Sequence, residues 1–148
     1  DQAYGMRVVF GTNEIPGPGA GGIAYVGSFI NNNNTPCFVF TQNVGDNEDG
    51  FTAAGSHEVG HTLGLVHDGQ TGGIEYYGGH ANWGPIMGTT YGRAVSQWSR
   101  GEYANANNFE DDFAEMGTYG IVEADDHGGT IGSATPVPDG NLNPTIAG

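Results

Sequence analysis

The chain has 148 residues, a length that fits one domain with a core of its own. Hydrophobic residues make up 36% and glycines number 28, which favours a loop-rich globular domain over a helical bundle. Three Lys and Arg against 17 Asp and Glu give a formal net charge of −14, so nucleic acid and anionic membrane surfaces are excluded as expected partners, and no apolar run is long enough to insert into a bilayer.

The β-branched and aromatic residues of 4–10 predict a strand, and the prolines and glycines of 11–22 a loop. Residues 23–30 read as a second strand, 31–34 as a polar turn and 37–41 as a third strand. Cys37 is the one cysteine, so no internal disulfide forms. Its neighbours Phe38, Val39 and Phe40 make it a buried strand thiol rather than a reactive or metal-binding one. The cluster Asp46-Asn47-Glu48-Asp49-Gly50 either caps the next helix or ligates Ca2+. Capping by Asp49, or plain solvation, is the preferred reading, because the spacing is not that of an EF-hand.

A helix is predicted over 51–63, and it carries the stretch around which the chain is organised. Residues 57–68 read His-Glu-Val-Gly-His-Thr-Leu-Gly-Leu-Val-His-Asp. His57 and His61, four apart, share one helix face and can grip one metal ion. Glu58 is rotated by about 100° from His57, which puts its carboxylate beside the metal rather than on it. Gly64 ends the helix by entering the left-handed conformation cheaply. The chain then turns back and offers His67. Three protein ligands leave a fourth position for water, the catalytic arrangement of Zn2+. Val59 and Leu63 point away from the histidines toward a core.

Residues 69–84 are irregular, with Tyr76, Tyr77, His80 and Trp83. His80 either meets substrate or fills a loop packing site; packing is preferred, since three metal positions are already taken. Residues 107–116 predict a second helix, capped by Asn107 or Asn108, stopped by Gly117, with Phe109, Phe113 and Met116 as its apolar stripe and its acids solvated. Residues 123–148, with Pro136, Pro138 and Pro144, read as a linker-like C-terminal tail in which His127 is not expected to bind metal.

The 57–68 motif resembles that of the metzincins, a clan of zinc endopeptidases. Gly84-Pro85-Ile86-Met87-Gly88-Thr89-Thr90-Tyr91, which starts 17 residues after His67, is similar to their second signature, a methionine turn beneath the metal. The resemblance implies that Met87 underlies the three imidazoles. Residues 22–27 resemble the segment before the zinc helix in the adamalysin (reprolysin) branch, which implies that Ile23, Ala24, Tyr25 and Val26 form the cleft-lining edge strand that pairs with substrate. It likewise implies that the stretch after the methionine, with Thr89, Thr90 and Tyr91, walls a specificity pocket. Some metzincins carry a catalytic tyrosine two residues after the methionine. That position is Thr89 here and Tyr91 is four residues on, so no catalytic role is assigned to Tyr91. Asp68 follows the third histidine as in adamalysins, which implies hydrogen bonds that steady the site; its rival role is to replace His67 on zinc, as in other metzincins.

The implied fold class is α+β: a small mixed twisted sheet with an active-site helix, and a loop-rich lower subdomain ending in a helix. The catalytic domain is expected over 1–122, its upper part about 1–64 and its lower part about 65–122. Only 56 residues precede His57, fewer than metzincins place there, which implies a removed or reduced N-terminal part. A start at Asp1 without Met reads as a processed chain. The lack of adamalysin disulfides points to a secreted bacterial relative; a monomer acting on protein or peptide substrates is expected. The implied activity is peptide-bond hydrolysis by a zinc-bound water that Glu58 activates. The alternatives are an inactive zinc-containing binding module and a zinc hydrolase of non-peptide amides.

Overall fold

A computed structural model describes residues 5–12, 19–31, 34–120 and 132–133. The expected tail, His127 included, lies outside the described residues except for 132–133, as do Tyr4 and residues 13–18 of the expected loop. The architecture is mixed α+β. Among the described residues five short strands, β1 (Val8–Gly11), β2 (Gly22–Ile23), β3 (Cys37–Phe40), β4 (Trp83–Pro85) and β5 (Val95–Gln97), accompany two α-helices, α1 (Glu48–Thr62) and α2 (Asp112–Gly117).

The first three strands form one sheet in the order β1-β3-β2. Strand β1 runs parallel to β3, with Val8 opposite Cys37, and β2 runs antiparallel to it, with Ile23 opposite Phe38. The alternation along β3 is that of a strand with one covered face: Cys37 and Val39 are fully buried, whereas Phe38 is exposed. Val39 joins Val44 and Ala54 in a core cluster under the sheet, against which Val8 and Phe51 pack. This cluster seats the first half of α1. Burial pushes the Cys37 thiol up to about 11, so it stays protonated, as a core residue.

The expected strand over 23–30 ends at Ile23. Gly27, in the left-handed region at φ 71°, turns the chain, and its N–H donates to His61 O at 2.9 Å. A single 3-10 turn, Ser28–Ile30, follows. The backbone is thus spent on closing the C-terminal end of α1 rather than on extending the sheet, and Tyr25, Val26 and Ile30 face solvent.

Helix α1 starts three residues earlier than predicted, because Asn47 rather than Asp49 is its cap: Asn47 Oδ1 accepts from Gly50 N at 2.9 Å. Glu48 and Asp49 occupy the first turn, where negative charge suits the helix dipole. The helix ends as its sequence implies. Leu63 caps it, and Gly64 at φ 96° reverses the chain. Leu63 and Leu65 then enter the second core cluster with Met87 and Met116, packed by Phe29, Val59, Ile86, Trp98 and Tyr119.

Strands β4 and β5 pair in parallel, Trp83 opposite Val95, and bracket the methionine turn. Arg93 fastens the preceding loop by donating to the carbonyls of Gly78, Gly79 and Ala81. His80 lies in that loop. It takes a 2.9 Å hydrogen bond with Tyr77 Oη and packs its ring 5.3 Å from that of Trp83, away from the histidine cluster.

The second helix is shorter than predicted. It begins at Asp112, capped by Asp111, whose Oδ1 accepts from Ala114 N at 3.2 Å. Asn107 and Asn108 serve other bonds: Asn107 Oδ1 accepts from Gly69 N, and Asn108 Oδ1 from Glu110 N. The inward face carries Asp112, Met116 and Tyr119, so Phe109 and Phe113 are exposed rather than packed. Nor are the acids a solvated face. Asp112 is fully buried and accepts from Ser99 N at 2.8 Å, and Glu110 accepts from Val66 N at 2.8 Å.

Candidate metal centre

Two histidines come from the last turns of α1 and one from the irregular segment after Gly64. The ligand atoms of His57, His61 and His67 all lie within 4.8 Å of one another, and His61 Nε2 stands 3.0 Å from His67 Nε2. Around a tetrahedral zinc with bonds near 2.05 Å, nitrogens are spaced roughly 3.3 Å apart. The three rings pack mutually, with centroids 4.8 to 5.3 Å apart.

The donor set fits a metal in chemistry as well as in spacing. His57 Nδ1 is 2.8 Å from Ile86 O, and His61 Nδ1 is 2.8 Å from Leu65 O. A carbonyl only accepts, so both Nδ1 atoms carry the proton and both Nε2 lone pairs are left for a cation. His67 Nδ1 faces Glu75 Oε1 at 3.0 Å with the same result. Burial pushes the His57 pKa down to about 4 and lowers that of His61, which keeps these rings neutral, the ligating form. Among the described residues, these three histidines form the group able to hold an ion; Asp46, Glu48 and Asp49 are not gathered into one.

Glu58 is buried, at 6% exposure, next to the first histidine. Burial raises its carboxyl pKa to about 7, a value suited to exchanging protons near neutrality. The backbone of β2 lies directly against it. A Cβ on Gly22 would fall 2.6 Å from Glu58 Oε1 and 2.5 Å from Phe38 O, so a side chain at residue 22 would displace the carboxylate or the strand.

A cleft of about 400 Å3 holds these groups. Its walls include Ile23 and Ala24 on one side and Thr89, Thr90 and Tyr91 on the other, with His57, Glu58, His61 and His67 between. Of the residues predicted to line it, Tyr25 and Val26 do not: the turn at Gly27 leaves Tyr25 72% exposed and outside the wall. Tyr76 does line it, with its ring 4.3 Å from that of His67. The sequence reading missed Tyr76 and Glu75, because neither has a spacing signal relative to the motif.

Met87 is fully buried beneath the helix end. Its backbone carbonyl accepts from Asp68 N at 2.9 Å, which ties the methionine turn to the residue after the third histidine. Asp68 points into the interior. Its Oδ2 accepts from Ser99 Oγ at 2.6 Å and its Oδ1 from Tyr103 Oη at 3.4 Å, so its carboxylate is engaged away from the histidine cluster. Burial raises its pKa.

A family model described as metallo-peptidase family M12B, reprolysin-like, matches residues 1–68, a span that ends on the last residue of the histidine motif. The match supports a metallopeptidase family, and together with the histidine triad it supports zinc as the metal. Neither a curated protein nor a solved structure matches the chain. No helix among the described residues is long and apolar enough to cross a membrane.

Proposed function

We propose that the chain is a zinc-dependent endopeptidase of the metzincin type, with His57, His61 and His67 as ligands and Glu58 as the proton-transfer residue. The observation that carries this reading is the buried Glu58 carboxyl set beside three gathered imidazoles in one open cleft. Zinc, when bound, supplies a Lewis acid that polarises a peptide carbonyl and makes water easier to deprotonate. Glu58 takes the proton as water attacks the carbonyl carbon and returns it to the departing nitrogen. Burial holds the Glu58 carboxyl ready to exchange protons near neutrality, and a cation held by the three histidines would favour its base form.

The substrate is a protein or peptide in extended form. Among the described residues strand β2 pairs with β3 on one side, so its other edge offers backbone groups to an added strand. Thr89, Thr90 and Tyr91 on the opposite wall select the neighbouring side chain, and Met87 and Asp68 brace the histidines from below. The resemblance to adamalysins without their disulfides fits a secreted, monomeric, bacterial enzyme. Calcium has no part in this reading, since Asn47, Glu48 and Asp49 serve the helix N-terminus.

The test is cleavage of an unfolded protein by wild type and by Glu58→Gln, with zinc measured on both. We expect both to hold one zinc per chain and the variant to lose at least ~100-fold in rate, as general-base losses do. Retained zinc with no cleavage by either chain would favour a binding module instead.

A further inference from the structure

We propose that Glu75 is the positioning residue for the third histidine, so that the loop from Asp68 to Tyr77, which lies outside the histidine motif, completes the metal centre. The inference rests on the metal-centre reading above. The three imidazoles are not held alike. His57 and His61 give their Nδ1 protons to carbonyls of Ile86 and Leu65 inside the fold, whereas His67 gives its proton to the Glu75 carboxylate at 3.0 Å. His67 is also the ligand outside the helix and has 26% of its side chain exposed. Glu75 is the hydrogen-bond partner of its Nδ1, while the rings of Tyr76, His57 and His61 pack against it.

Glu75 itself is largely exposed, which on its own would mark a fortuitous surface pair. The backbone argues otherwise. The loop is closed at its neck by Tyr77 N donating to Asp68 O at 2.6 Å and within it by Gln70 N donating to Ile74 O at 2.8 Å. A Cβ on Gly69 would fall 2.2 Å from Ile74 O and 2.6 Å from Glu75 O, so the return of the loop onto the metal side depends on a bare backbone there. Its first limb and neck are fastened to residues 103–105 as well. Thr71 N donates to Asn105 O, Gln70 Nε2 to Ala104 O, and Tyr103 Oη to Gly69 O, while the Tyr77 and Tyr103 rings stack at 4.1 Å. These contacts set the backbone from which Glu75 reaches the His67 ring nitrogen that does not face the other two histidines. A carboxylate on Nδ1–H fixes the tautomer, locks the ring plane and makes Nε2 a stronger donor.

The test is zinc affinity of the full chain, measured by competition with a chromophoric chelator, for wild type, Glu75→Ala and Glu75→Gln. Glu48→Gln, on the first turn of α1, controls for the loss of one negative charge. Loss of such a partner weakens metal binding by roughly 10- to 100-fold, which is the effect expected for Glu75→Ala. Glu75→Gln keeps an acceptor oxygen and should recover part of the affinity, and Glu48→Gln should match wild type within about twofold. The Nδ1–H proton of His67, followed by 1H–15N NMR in the zinc-loaded protein, should be lost to exchange in Glu75→Ala while those of His57 and His61 persist. Equal zinc affinity of Glu75→Ala and wild type, with the His67 proton still protected, overturns the proposal and leaves the metal centre standing. A wild-type chain with no stoichiometric zinc site overturns the metal centre itself.

Discussion

Ser99 joins two acids that sequence spacing does not connect: its N–H donates to Asp112 and its hydroxyl to Asp68, both buried. Asp112 Oδ1 has no hydrogen-bond partner among the described residues. Burial first, and the Asp68 charge further, raise the Asp112 pKa from 3.8 to about 7, against the lowering effect of the Ser99 N–H. In the unfolded chain the carboxyl ionises near the lower value. Between the two values the folded chain therefore holds the extra proton, and stability falls as pH rises from about 4 to about 7, then levels off. The difference between the two values is worth at most roughly 4 kcal/mol. Asp112→Asn keeps an oxygen for Ser99 N–H and has no charge to bury. Urea unfolding at pH 5 and pH 8 should show the variant gaining on wild type by one to a few kcal/mol as pH rises. A stability difference independent of pH would mean that the carboxyl is already ionised in the fold.

At the scale of elements, the legible parts were those whose signal is local. Helix α1, its termination at Gly64, the buried thiol strand and the histidine spacing all follow from residues within one or two turns. Where partners are distant, the reading failed. The apolar run 23–30 has strand composition, yet Gly27 N is drawn to His61 O, a bond no local pattern encodes. Around α2 two stripes compete: Phe109, Phe113 and Met116 against Asp112, Met116 and Tyr119, whose centres differ by about 60° on an ideal helix. Hydrophobicity selects the first, but the Ser99 N–H selects the second. Glu75 was illegible for the same reason, since loop closure across Gly69 sets its position. The cap of α1 was misplaced by two residues, and that difference is measurable. Asn47→Ala should cost about 1 kcal/mol of stability in chemical denaturation, because it removes the acceptor for Gly50 N–H. Asp49→Ala removes a first-turn charge worth about 0.3–1 kcal/mol. The order of the two costs decides which residue caps the helix.

For the whole molecule, the two core clusters are each modest, and the histidines stand where the parts meet. His57 and His61 belong to the helix; His67 belongs to the chain that leads into the loop tied to residues 103–107. An ion bound by all three therefore joins α1 to the region that carries Met87, Ser99 and α2. It binds the folded chain and finds no such assembly in the unfolded one, so its binding free energy adds to stability. At a free zinc concentration of about 1,000 times Kd the gain is about 4 kcal/mol. Removing zinc with a chelator should lower the melting temperature by well over 5 °C for a domain of this size, taking about 2–4 °C per kcal/mol. The loss should not be uniform. Amide hydrogen exchange should rise most at residues 65–77, where the third ligand and its loop are released, and least along β1 and β3, whose pairing does not involve the histidines. Exchange that rises equally everywhere would show that the metal stabilises only by global linkage, and unchanged melting would show that the fold is complete without it.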